Sequence, residues 1–351
     1  MLVLTKTTQC LENYYVHAYE AWKHALEAEA DVVNYGAGYE GFMGWNVSDA
    51  ELYDKMGCKP DIELWCGGPG NRKPQYIDSV HITKPDPSVP KLILLTDFWE
   101  IVRDCNIQKW KKREDELAAM GVVGYFSFYS QTKEWMQRVV KTRFRHFVEF
   151  PYVADERFFV ESDVEKRWDV NLQMCINTNY PFRMKCGALL ASAGGLKCFR
   201  LQKGQLYKQI PGDKDPLNEL FGAGDPTGNY AELLKRCMIT VTDGYAAYSP
   251  QRAAWHMLNS DLFLARFAQT LASGCLLMCP TVSSTHIEPL VDGKHYVAIN
   301  TGSVIEKVRY YLAHSDERDK VSKTGREWAL RNVSAAVVAA SIVKQLKEIA
   351  L

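Results

Sequence analysis

Short apolar and β-branched runs alternate with segments of helical spacing along most of this chain, an order that leads to a parallel sheet covered by helices. In the first half, the runs at 2–5, 31–35, 61–65, 91–96 and 122–128 predict strands. Between the first two, Tyr14, Ala18, Ala21, Trp22, Ala25 and Leu26 recur at helical spacing and complete one βαβ unit. A turn-rich connector covers 84–90, and 151–163 has the composition of a hinge. The alternation then restarts. Strands are predicted at 169–176, 196–201 and 238–242, with buried runs at 275–279 and 295–299. Helices are predicted from near 181, at 229–236 and 262–272, and in a closing trio at 303–314, 316–331 and 334–349.

The expected fold class is therefore α/β, with two Rossmann-like, doubly wound domains facing each other across a cleft. Residues 1–165 would form the first domain and 166–333 the second, with 334–351 a last helix crossing back to the first. Ligands in such sheets bind at the carboxyl ends of the strands.

Composition narrows the function classes. The 351 residues carry 42 basic and 42 acidic side chains, so no net field draws the chain to polyanions. With 47% hydrophobic and 24% charged residues, the chain is neither disordered nor fibrous. Its ten cysteines form no C-x-x-C pair and lie in apolar runs, the usage of reduced, buried thiols. No apolar run approaches the ~20 residues of a membrane span, and no targeting segment precedes the first strand, so the expected location is cytoplasmic.

The most informative stretch is Arg266-Phe-Ala-Gln-Thr-Leu-Ala-Ser-Gly274, followed by Glu288-Pro-Leu-Val-Asp-Gly293 and by the helical pattern 304–318. Here the sequence resembles the carboxyl-terminal half of GT-B-fold glycosyltransferases of the "glycosyl transferases group 1" kind, in particular their spore-maturation-protein-B-like branch. The similarity runs from about 169 to 334. It is weaker in the first half, where it rests on Tyr35-Gly-Ala-Gly38, Lys59-Pro-Asp-Ile62 and Phe150-Pro-Tyr-Val-Ala-Asp-Glu-Arg-Phe-Phe159.

The resemblance implies transfer of a sugar from a nucleotide-diphosphate donor to a hydroxyl acceptor. A helix opening near Arg266 would turn its positive end toward the diphosphate, and Gly274 would permit a tight turn into the next strand. Asp261 and Gln269 have the spacing of the family's paired glutamates, one near the transferred sugar and one on the ribose; both depart from Glu. Gln269 still hydrogen-bonds hydroxyls but gives up charge assistance worth roughly 1.5–3 kcal/mol. Arg183 and Lys185 fall where family members place a cation that neutralises the leaving diphosphate, although Asn177 replaces the usual glycine nearby. His286 and Glu288 lie on the loop expected at the donor. These assignments call for no cofactor and no metal.

Other motifs carry less. Asp213-Lys-Asp215 has the form of a metal-binding D-x-D but sits between Pro211-Gly212 and Pro216, the setting of a turn. Gly36-Ala-Gly38 opens no periodic helix and makes a poor dinucleotide fingerprint. In the first half, Asp97 and Glu100 follow an apolar strand, which predicts a carboxylate at the cleft rim able to take the acceptor's proton; helix capping is the competing role. The hydroxyl-rich 5–9 would line the acceptor side. His17 and His81 are isolated, and the basic stretches 109–113 and 138–146 are expected as solvated helix faces. Three alternatives stay open: a non-catalytic binding protein on this fold, a nucleotide-sugar epimerase, and a glycosyltransferase acting on nucleic acid. The acceptor (glycan, small molecule or modified base) and the oligomeric state are not specified by the residues.

Overall fold

A computed structural model describes residues 1–6, 14–36, 39–44, 47–66, 84–95, 107–129, 132–161, 163–172, 181–199, 226–243, 263–282 and 288–350. The chain divides into two compact units. One comprises Met1–Leu11, Trp22–Pro151 and Ala336–Leu351, the other Glu12–Ala21 and Tyr152–Ala335.

The first unit holds six parallel strands: β1 (Leu2–Lys6), β2 (Asp31–Tyr35), β3 (Ile62–Trp65), β4 (Lys91–Leu95), β5 (Val122–Ser127) and β6 (His146–Glu149), in the order β2-β1-β3-β4-β5-β6. Its helices are α1 (Tyr14–Glu27) from Trp22 onward, α2 (Asp49–Met56), α3 (Ile107–Ala119) and the short α4 (Thr132–Trp135), which continues as a π-helical turn over Met136–Val140. Both faces of the sheet are covered, so β3 and β4 consist almost wholly of buried residues. Trp22 packs edge-on to Phe126 at 5.3 Å between ring centroids and 5.9 Å from Phe150, tying α1 to the sheet.

α2 was not foreseen, although it starts on a complete capping box. The Ser48 hydroxyl accepts from the Glu51 N–H at 3.3 Å and the Glu51 carboxylate accepts from the Ser48 N–H at 2.9 Å. The basic stretch 138–146 is corrected: it is not one helix face. The π turn ends at Lys141, held at φ 54°, and His146 begins β6, whose Val148 is buried opposite Phe126 of β5.

Inside this unit lies a fully buried charge cluster. Lys6 Nζ sits 2.5 Å from Asp49 Oδ1 and 2.9 Å from Glu63 Oε2, while Lys91 Nζ stands 3.6 Å from Asp49 and 3.9 Å from Glu63. Tyr53 Oη and Trp65 Nε1 donate to Glu63 at 2.5 and 2.6 Å. Burial lowers the Lys91 pKa, against the pull of Glu63 and Asp49, and raises that of Tyr53 far above its ordinary value. Two cations thus face two anions with hydrogen bonds around them, the condition under which buried charge is tolerated.

The second unit holds β7 (Trp168–Asn171), β8 (Cys198–Phe199), β9 (Cys237–Val241), β10 (Leu276–Cys279) and β11 (Val297–Ala298), all parallel, in the order β8-β7-β9-β10-β11. Around it lie α5 (Glu156–Phe159), α6 (Pro181–Ser192), α7 (Pro226–Lys235), α8 (Ala265–Ala272), α9 (Val304–Ala313) and α10 (Ser315–Asn332). Val170, Ile239, Val241, Leu276, Met278 and Val297 from the strands form its core with Cys186, Leu190, Val304 and Val308 from the helices. Gly325 lets α10 approach closely, since a Cβ there would lie 2.5 Å from the His295 carbonyl oxygen. The last helix, α11 (Ala335–Ala350), is grouped from Ala336 onward with the first unit. There, Gln345 accepts from the Glu149 N–H at 3.2 Å and donates to the Glu149 carbonyl at 3.1 Å, closing the open edge of β6.

Among the described residues no helix is long and apolar enough to cross a membrane. The seven described cysteines are free thiols, most of them buried.

Candidate functional site

In the second sheet the chain runs from β7 outward to β8, then returns past β7 to β9, so the winding reverses between β7 and β9. The carboxyl ends of two such strands diverge and leave a crevice where ligands bind. Directly past β9 come Thr242 and Asp243, both buried. Asp243 Oδ1 accepts from Arg183 Nε at 2.5 Å, and the two side chains are 0% and 6% exposed, which makes this an interior ion pair. Arg183 occupies the first turn of α6, which opens on Pro181, a residue whose fixed φ suits a helix start. Asp243 Oδ2 and Thr242 Oγ1 are buried with no hydrogen-bond partner among the described residues. Burial pushes the Asp243 carboxyl above its ordinary pKa; the charges of Arg183 and Arg266 pull it back.

Arg266 lies in the first turn of α8, half-buried. Leu264 at the N-cap offers no side-chain acceptor, so no side chain caps the helix start. The positive end of the helix dipole and the Arg266 charge act together there. Gln269, three residues on, is buried on the same side of the helix. Arg183 is thus bonded to a carboxylate on which the Arg266 charge also acts, with Gln269 one turn along α8 from Arg266.

The other expected donor residues have surroundings of their own. Lys185 is exposed, and two residues beyond Arg183 it points to the other side of α6. Gly274 has φ +69° and donates to the Leu271 carbonyl at 3.1 Å, turning the chain from α8 into β10. It sits at the opposite end of α8 from Arg266, roughly 12 Å away at 1.5 Å per residue. The Glu288 carboxylate is 3.4 Å from both Arg331 Nη2 and Asn332 Nδ2, and its carbonyl accepts from Trp328 Nε1 at 2.9 Å. The Asn332 amide, with Arg331, holds the Glu288 carboxyl below its ordinary range. These contacts tie Glu288 to α10. Asp97, Glu100, Asp261, His286, Asn177, Asp213 and Asp215 lie outside the described residues. Among the described residues, no group of three or more His, Cys, Asp or Glu is arranged to hold a metal ion.

Two carboxylates escaped the sequence argument. Asp243 follows the apolar strand β9 directly, which is the positional signal that singled out Asp97. Glu149, at the carboxyl end of β6, accepts from the Lys133 N–H at 2.7 Å, and burial raises its pKa to about 7.

The glycosyl transferase-like family model matches residues 210–344. No curated protein sequence matches the chain significantly. Among solved structures, Anabaena HepE in complex with UDP and glucose is similar at TM-score 0.63 and 8% identity over 99% of this chain and 100% of that one. A glycosyltransferase from Rickettsia africae gives 0.58 and 11%, over 99% of this chain and 98% of that one. Sucrose-phosphate synthase from Thermosynechococcus elongatus gives 0.60 and 7%, over 99% of both. At such identities the likeness is one of fold, and the fold is GT-B.

Proposed function

We propose that the chain, matched to the glycosyl transferase-like family over residues 210–344 and built on the GT-B fold, is a glycosyltransferase whose donor is a nucleoside diphosphate sugar held by the second unit. The observation that carries this reading is the convergence of two arginine charges on a buried carboxylate at the β7/β9 reversal. When the bond between the anomeric carbon and the donor's terminal phosphate oxygen breaks, negative charge grows on the departing diphosphate. Arg183, Arg266 and the start of α8 would stabilise that charge. Gln269 would hydrogen-bond the ribose hydroxyls, with Asp261 toward the transferred sugar and His286 on the donor loop. Asp97, with Glu100 beside it, would serve the acceptor hydroxyl, as base in an inverting reaction or as a positioning group in a retaining one. The presence of UDP-glucose in one HepE structure supports a nucleotide-sugar donor here. Free thiols suit a reducing compartment, which favours the cytoplasm.

Because guanidinium groups supply the positive charge, the proposed reaction has no step that requires a divalent metal. Sugar release from a panel of nucleoside diphosphate sugars, assayed after exhaustive chelation, is expected to proceed undiminished for the true donor. Complete loss restored by manganese or magnesium would overturn the metal-free reading and direct attention to Asp213 and Asp215.

A further inference from the structure

We propose that Asp243 is a positioning residue for donor binding, the counter-ion that holds Arg183 in place for the donor's diphosphate and shares its charge with Arg266. The inference rests on the diphosphate reading of these arginines and adds to it the residue on which their placement depends.

Asp243 differs from the other buried carboxylates. In the first unit, Glu63 has both oxygens engaged, Oε1 by Tyr53 and Oε2 by Lys6 and Trp65, as expected of a purely structural ion. Asp243 gives one oxygen to Arg183 and keeps the other, fully buried, without a hydrogen-bond partner among the described residues. A structural carboxylate seldom leaves an oxygen unsatisfied, because the desolvated group gains nothing for it. The carboxylate also stands at the end of the strand where the sheet's winding reverses, which is where a ligand is expected. The charge of Arg266 acts on the same carboxyl group. One anion that offsets the charge of both cations lowers the cost of holding them at the site before an anionic ligand arrives.

The direction of the effect follows from burial. Arg183 is 5% exposed, and an interior guanidinium without a counter-ion is strongly disfavoured. If Asp243 loses its charge, Arg183 loses the carboxylate that fixes its Nε and with it the placement that contact gives. What disappears is the pre-placed donor group, so affinity for a diphosphate falls.

The test is calorimetric titration of the full chain with inorganic pyrophosphate and with UDP, in wild type, Asp243→Asn, Arg183→Ala and the double variant. The expected result is a roughly tenfold loss of pyrophosphate affinity in each single variant, with the double variant within twofold of Arg183→Ala. Such non-additivity would not arise from a merely structural role. Should Asp243→Asn fail to fold, Arg183→Gln and Arg183→Gln with Asp243→Asn replace the charged pair by neutral ones, and the two are expected to bind pyrophosphate equally and about tenfold more weakly than wild type. Unchanged or tighter binding by folded Asp243→Asn, with Arg183→Ala weakened, would overturn the inference and leave the donor reading standing. Absence of pyrophosphate and UDP binding in wild type would overturn the donor reading for these ligands and the inference with it.

Discussion

Replacing Glu63 with alanine is expected to destabilise the first unit by about 3–5 kcal/mol, the cost of breaking a buried ion pair from one side. Glu63 is completely buried and accepts from Tyr53 and Trp65 while facing Lys6 at 2.9 Å and Lys91 at 3.9 Å. Without it, two interior ammonium groups share the single carboxylate of Asp49, and two aromatic donors lose their acceptor. Against a total stability of roughly 5–15 kcal/mol, such a loss leaves a barely folded unit. Glu63→Gln, which preserves shape and some hydrogen bonding, should fall between wild type and Glu63→Ala. Urea unfolding followed by tryptophan fluorescence measures both. A loss below about 1 kcal/mol in Glu63→Ala would mean that the cluster is solvated or that Lys91, whose pKa burial already lowers, gives up its proton.

The largest functional effect is expected at Arg266. Its charge lies in the first turn of α8, adds to the positive end of that helix and acts on the Asp243 carboxyl. A cation aimed at a leaving diphosphate is engaged most strongly as the bond to the sugar breaks, so its removal lowers kcat more than it raises KM. Arg266→Ala should reduce turnover of the nucleotide sugar by about 10²–10³, the range found on removing one preorganised charge-stabilising group. Because Arg266 is half-buried at a helix start, circular dichroism should show the fold intact. A variant that turns over within fivefold of wild type would remove Arg266 from the chemistry and leave the departing charge to Arg183 and the helix.

Those two side chains show what a sequence can and cannot disclose. Arg266 stood out because its motif lies on a short helix followed by a turn glycine, and the predicted strands β4 and β9 were recognisable because buried parallel strands are continuous apolar runs. Glu63, Lys6 and Lys91 carried no such mark. A charged residue in a strand looks like an outward-facing one, and only pairing across β1, β3 and β4 shows that all three turn inward to a common cluster. α2 was missed because eight largely polar residues give little periodic signal, even though Ser48 and Glu51 announced its start. At the site, Arg183 and Gln269 were named from resemblance, whereas Asp243 required knowing that β9 borders the reversal in winding. Gly274 was named with Arg266 from the resemblance, as the end of one motif; the length of α8 lies between them.

The measurement that bears most directly on donor binding is calorimetric titration of the intact chain with UDP, ADP, GDP and dTDP alongside the matching monophosphates. The account predicts that at least one diphosphate binds with a Kd on the order of micromolar, at least tenfold and so about 1.4 kcal/mol more tightly than its monophosphate. That preference measures what the second phosphate gains from the two arginines and the start of α8. Binding of no diphosphate, or equal affinity for diphosphate and monophosphate, would contradict it.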